Sequence, residues 1–264
     1  MSLLSIALLL IGQTADAGVP LEASGKWAVD YGDRACTLSR SFGSDGTSLE
    51  LRREYLAREG ATAILKIPEV RATDSRQFDA TIIFADGEPM AVAVNSTSLP
   101  KQSARMVTMH LDQQKFSRLI SGGLFALPVD RKTKLWFNAG NFDEAVKALS
   151  KCSDDLVQSL GIPVAELDAV VTYPTPTGKI DLSPRRFPTE LSGKRYLAQS
   201  DVLIEIAADG RVASCRVIAY SGPEVLRNAA CDRSSETRFK PAKDHSSTPT
   251  RAWVVLKVTN TDHP

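Results

Sequence analysis

Val202-Leu203-Ile204-Glu205-Ile206-Ala207-Ala208-Asp209-Gly210-Arg211-Val212-Ala213-Ser214-Cys215-Arg216-Val217 is the stretch from which the fold of this sequence is read. Val202, Ile204 and Ile206 alternate with Leu203, Glu205 and Ala207, the period of a strand. Asp209-Gly210 is a tight-turn signal, because Gly supplies a positive φ at no steric cost. The chain then returns from Arg211 to Tyr220 as a second strand. Its Ala213, Cys215, Val217 and Ala219 share one face. Ser221-Gly222-Pro223 stops it. Pro223 suits the first turn of a helix, and Leu226, Ala229, Ala230 and Arg233 continue at helical spacing. Arg238-Phe239-Lys240-Pro241-Ala242 leads out of that helix. Ala252 to Asn260, rich in Val, reads as a last strand. The expected order is strand, strand, helix, strand, with the helix covering one face of the sheet.

Upstream of this unit the composition changes. Pro163, Pro174, Pro176 and Pro184 crowd residues 161–186 with Gly178. Pro fixes φ and keeps the residue before it extended, so this stretch is expected to be a linker or strap. Residues 18–160 then form an amino-terminal domain. Within it Ser48 to Arg52, Ala63 to Ile67, Phe78 to Phe84, Met90 to Asn95, Arg105 to Leu111 and Lys134 to Phe137 are short alternating segments bounded by Gly, Pro, Asp, Asn or Ser. They predict an antiparallel sheet or sandwich, with Asp86-Gly87 as a hairpin turn. A helix closes the domain: Asn141 can cap it, Glu144 is the capping-box partner, and Ala145, Leu149, Cys152, Leu156 and Leu160 recur at helical spacing. The fold class expected for the chain is α+β, with residues 187–264 as the second domain.

The amino terminus and the cysteines point to a compartment. Leu3 to Ile11 is a short apolar run followed by Ala15-Asp16-Ala17, the pattern of a secretory signal peptide over residues 1–17. The run falls short of the roughly 20 apolar residues that span a bilayer, and nothing later is longer. The mature chain is therefore expected to be soluble, without a membrane span, and periplasmic. The four cysteines, Cys36, Cys152, Cys215 and Cys231, include no CxxC pair, so metal-site and thioredoxin spacings are absent. An even number in an exported chain suggests disulfides, with three pairings open. A Cys36–Cys152 bridge would tie the first strand, around Arg34 to Leu38, to the closing helix.

Asp209-Gly210-Arg211-Val212, Cys215 to Val217, Ser221-Gly222 with Leu226, Ala229-Ala230-Cys231 and Arg238-Phe239-Lys240-Pro241-Ala242 together resemble the C-terminal domain of the TonB family over about residues 187–260. Phe187-Pro188 stands where that family has tyrosine-proline. The resemblance implies a strand cysteine, Cys215, bridged to Cys231 in the helix. It also implies a binding role in which a free strand edge pairs with a short extended peptide of an envelope or outer-membrane receptor protein. The edge expected here is the last strand, with Trp253, Val255, Lys257 and Thr259 as partner-binding residues and Lys257 as a charge that blunts unwanted pairing.

The charges exclude some classes. Lys and Arg are scattered through a chain of net charge +1, so no basic face is expected to bind nucleic acid. Of the three histidines, His110 lies in a strand, His245 in a polar loop and His263 next to the end, so none is matched with a nucleophile. Ser121-Gly122-Gly123 lacks the Gly-Lys-Ser/Thr that completes a phosphate loop. Asp154-Asp155 reads as a solvated helix face, and Trp27, Trp136 and Trp253 read as core anchors. No metal spacing or cofactor motif appears. A binding protein, not an enzyme, and without a cofactor, is the reading. Its rivals are an envelope enzyme or enzyme inhibitor with its site in the amino-terminal domain, and a structural envelope protein that uses the TonB-like fold as a spacer.

Overall fold

The computed structural model describes residues 18–57, 60–68, 75–180, 184, 186 and 188–261. The expected signal peptide, residues 1–17, lies outside them, as do Phe187 and His263. Residue contacts divide the chain into two compact units, and both are discontinuous. The first comprises residues 1–28, 39–51 and 60–144, and the second 29–38, 52–59 and 145–264.

Ten strands make one sheet: β1 (Leu21–Glu22), β2 (Ala28–Tyr31), β3 (Ala35–Phe42), β4 (Thr47–Glu54), β5 (Ala61–Pro68), β6 (Arg76–Phe84), β7 (Pro89–Leu99), β8 (Ala104–Leu111), β9 (Leu124–Pro128) and β10 (Lys134–Asn138). Their order is β1-β10-β9-β6-β7-β8-β5-β4-β3-β2. Each alternating segment read from the sequence lies in one of these strands. The cause is visible in β4, whose residues are buried and half-buried in strict alternation, so one face enters the core. The Asp86-Gly87 turn joins antiparallel β6 and β7; Gly87 has φ 81° and its N–H donates to the Phe84 carbonyl at 2.8 Å. Within the first unit Trp27 packs on Phe42 and on Phe142, the latter with centroids 4.7 Å apart, and Phe137 and Phe125 continue the cluster. Trp27, half-buried, anchors that packing.

The sequence reading passed over one helix, α1 (Gln113–Gly122). Asp112 caps it by accepting from the Lys115 N–H at 2.9 Å, and Phe116 and Leu119 face the core. Ser121-Gly122-Gly123 is its ending: Gly123 takes φ 64°, and a Cβ there would lie 2.8 Å from the Gly140 carbonyl oxygen. Helix α2 (Asp143–Ser159) follows, and Asn141 supports its start by accepting from the Asp143 N–H at 2.7 Å.

The second unit adds α3 (Val164–Asp168), β11 (Val170–Thr172), β12 (Thr175–Pro176), β13 (Leu197–Ile206), β14 (Val212–Ser221), β15 (Phe239–Lys240), β16 (Ala242–Asp244), β17 (Pro249–Thr250) and β18 (Ala252–Thr261). The Pro-rich stretch thus carries α3, β11 and β12; β11 pairs with β16, and β12 with β15. The main sheet has the order β14-β13-β18, antiparallel throughout. Among the described residues no helix is long and apolar enough to cross a membrane.

One expectation is corrected. After Pro223 there is no α-helix but three single 3₁₀ turns, Glu224–Leu226, Ala229–Cys231 and Ser234–Glu236. Asn228, Asp232 and Ser234 interrupt the run, and such side chains compete for backbone hydrogen bonds; Ser234 Oγ, for one, donates to the Cys231 carbonyl. The inward positions survive the change, since Leu226, Ala229 and Ala230 are all buried. The α+β class holds, with α1, α2 and α3 supplying its helices.

Candidate functional site

The sheet β14-β13-β18 is the centre of the second unit, and the turn quoted at the outset explains its closure. Gly210 has φ 82°, and a Cβ on it would lie 2.1 Å from the Phe239 carbonyl oxygen. The Phe239 N–H donates to the Gly210 carbonyl at 2.9 Å, and Arg211 bridges to Arg238. Asp209 Oδ1 accepts from the Arg211 N–H at 2.9 Å. The segments 209–212 and 238–242, distant in the chain, are therefore one packed corner in which only glycine fits at position 210. Gly222 plays the same part at the other end: a Cβ there would lie 2.8 Å from Ala198 Cα. Cys215 of β14 is bonded to Cys231, with Cα atoms 5.7 Å apart, which pins the middle 3₁₀ turn to the sheet. The second disulfide, Cys36–Cys152, joins β3 to α2 within the same unit. Both expected pairings are present.

The two faces of the sheet differ. On one, Val202, Ile204 and Ile206 of β13 pack with Ala230 and Phe239, and with Val254, Leu256 and Val258 of β18. On the other, Leu203 and Trp253 pack with Val157, Leu160, Ile162, Leu167 and Tyr55. Strand β13 is thus buried on both sides, as a central strand should be. Arg251 lies over the Trp253 ring at 5.0 Å and donates to Glu166 of α3 and, at 3.3 Å, to Glu205.

The four residues read as partner-binding separate along this second face. Trp253 is 6% exposed and Val255 is partly buried against the same cluster, so both side chains belong to the core. Lys257 and Thr259 are exposed and line a cleft of about 290 Å³. The cleft's other walls are Arg34, Arg52, Glu54 and Tyr55 from the early chain, Gln199, Ser200 and Asp201 from β13, and Ala219 and Ser221 from β14. What remains free on β18 is its backbone edge: among the described residues its one strand neighbour is β13.

Tyr55 is the group that sequence reasoning missed. It follows the end of β4 in a turn closed by the Ala57 N–H on the Glu54 carbonyl at 2.8 Å. Its φ is 37°, a left-handed conformation that costs a non-glycine residue about 1–2 kcal/mol. The phenol is 4% exposed, and its hydroxyl donates to Asp201 Oδ2 at 2.7 Å. Burial, then the Asp201 carboxylate, push the Tyr55 hydroxyl well above the usual tyrosine range, while Arg34 pulls the other way. Strained backbone, a buried hydroxyl and a cleft together mark a candidate site. The carboxylates are already engaged: Glu54 pairs with Lys257 and, at 3.5 Å, with Arg52, and Asp201 holds Tyr55. His110 and His245 are both exposed and line no part of the cleft.

No curated protein matches the chain. Residues 183–259 match the family model described as Gram-negative bacterial TonB protein C-terminal, close to the span read from the sequence; the match covers β13, β14, the Cys215–Cys231 disulfide and β18 as far as Thr259.

Proposed function

We propose that this chain is a TonB-like binding protein of the bacterial periplasm. In this reading the free edge of β18 pairs with an extended peptide from an envelope or outer-membrane receptor protein. The observation that carries the reading is the position of β18: it closes the TonB-type sheet and has one strand neighbour among the described residues. An edge of this kind offers a row of N–H and C=O groups to a second chain, and around Val202 to Ile206 both faces of the sheet are already packed. Two disulfides fit an oxidising compartment. Export through a cleaved leader belongs to the same reading. Intact mass of the periplasmic protein checks it, with Gly18 as the expected first residue; a species that keeps Met1 would remove it.

The deciding experiment is hydrogen exchange on the full chain with synthetic peptides from the periplasm-facing segments of outer-membrane receptors. A bound peptide is expected to slow exchange along residues 252–261. Binding that protects β14 instead, or no binding by any peptide, would overturn the assignment of the edge.

A further inference from the structure

We propose that the cleft beside β18 is a binding site for a carboxylate, the side chain or terminus of an acidic amino acid or peptide. The inference rests on the cleft alone and holds whether or not β18 pairs with a peptide.

Charge is the first argument. The walls carry three cations, Arg34, Arg52 and Lys257, and two carboxylates, Glu54 and Asp201. Glu54 is shared by Arg52 and Lys257, and Asp201 accepts from the Tyr55 hydroxyl. Arg34 is exposed, and among the described residues its guanidinium has no ion pair. The described walls of the cleft thus sum to a net charge of +1, and the exposed Arg34 offers a planar fork that matches a carboxylate in two parallel hydrogen bonds. A dianionic phosphate fits less well, since its second charge would face Glu54 and Asp201 without compensation.

Construction is the second argument. Arg52 Nε is shielded from solvent and has no hydrogen-bond acceptor, its nearest carboxylate being Glu54 at 3.5 Å. The Arg52 side chain as a whole is 40% exposed, so an incoming oxygen can meet its guanidinium. Tyr55 holds a strained φ of 37° while its ring closes one wall and its hydroxyl fixes Asp201. Gln199, Ser221 and Thr259 add neutral polar groups for the rest of the ligand. The volume, about 290 Å³, is at the small end of ligand sites and suits one side chain or one small acid.

The test uses the full chain, labelled at backbone and arginine nitrogens, titrated at constant ionic strength with four probes. N-acetylglutamic acid amide offers a side-chain carboxylate, N-acetylalanine a terminal one, N-acetylglutamine amide none, and inorganic phosphate is the rival anion. At least one of the two carboxylates is expected to shift the Arg34 and Arg52 side-chain signals and the Tyr55 amide saturably, at about 1–10 mM; which one does so tells side chain from terminus. Arg34→Gln is expected to weaken that binding about three- to tenfold. Arg131→Gln, a change at an exposed residue outside the cleft, leaves it unchanged. No shift with either carboxylate, an equal shift with the glutamine amide, tighter binding of phosphate, or full binding by Arg34→Gln would each overturn the proposal.

Discussion

Gly210→Ala tests whether the corner between residues 209–212 and 238–242 holds the carboxy-terminal sheet together. The added methyl meets two obstacles. With φ at 82°, alanine adopts a left-handed backbone at a cost of about 1–2 kcal/mol. The new Cβ would also stand 2.1 Å from the Phe239 carbonyl oxygen and 3.2 Å from its carbon, so backbone must move. The movement falls on the bond from the Phe239 N–H to the Gly210 carbonyl, 2.9 Å long and worth about 1 kcal/mol. The sum is about 2–3 kcal/mol. With a urea slope of about 2 kcal/mol per molar, the unfolding midpoint of the sheet falls by about 1–1.5 M. The indole resonance of Trp253, buried in that sheet, is the reporter. Gly178→Ala is the control, because a Cβ there meets nothing within 4 Å; its change stays within about 0.5 kcal/mol. A Gly210→Ala midpoint as close to the wild type as the control's would refute the argument.

Replacing both Cys215 and Cys231 by Ala opens a ring whose ends are 16 residues apart, and the sheet should lose about 3 kcal/mol in denaturant unfolding; no loss would show that the 3₁₀ turns hold without the bond. Neighbouring N–H groups on β18 point to opposite edges, so Val254→Pro and Val255→Pro should differ: one unfolds the sheet, and the other stays folded by circular dichroism but loses peptide. Two folded variants that both bind peptide would take β18 out of the mechanism. Tyr55→Phe probes the buried hydroxyl. Its pKa is raised in the folded state above the ordinary 10.0, so the hydroxyl's contribution is whole below about pH 10 and is lost as pH rises further. The stability gap between wild type and Tyr55→Phe should therefore shrink in alkaline unfolding curves, and a gap that widens would contradict the assignment.

What could be read in the sequence was local. The strand pattern around Val202 to Val217, the turn at Asp209-Gly210 and the hairpin at Asp86-Gly87 each sit within a few residues of their cause. The Cys36–Cys152 bridge could be suggested because Cys152 falls on the apolar face of the closing helix and Cys36 in the first strand. The helix after Pro223 failed for a reason that was also present: Asn228, Asp232 and Ser234 stand among the apolar positions and break the run into turns. Helix α1 was legible too, from Asp112 as cap, Phe116 and Leu119 as the inward pair, and Gly123 as the stop. The cleft was not. Tyr55 meets Asp201 across 146 residues, and Lys257 meets Glu54 across 203. No short-range pattern encodes such a meeting, and a left-handed tyrosine carries no signal of the kind that glycine or asparagine gives.

The cover over Leu203 and Trp253 comes from Tyr55, Val157, Leu160, Ile162 and Leu167, all outside the segment that matches the TonB C-terminal. A protease or a gene fusion that released residues 183–259 alone would bare that face. The excised piece would be expected to stick to itself through the bared apolar surface. The same arrangement sets a schedule during synthesis. Cys36 leaves the ribosome 116 residues ahead of Cys152, and the strands that Tyr55 will help to cover come later still. For that interval the early thiol has no native partner, and the first strands must wait for the end of the chain before the second unit can close.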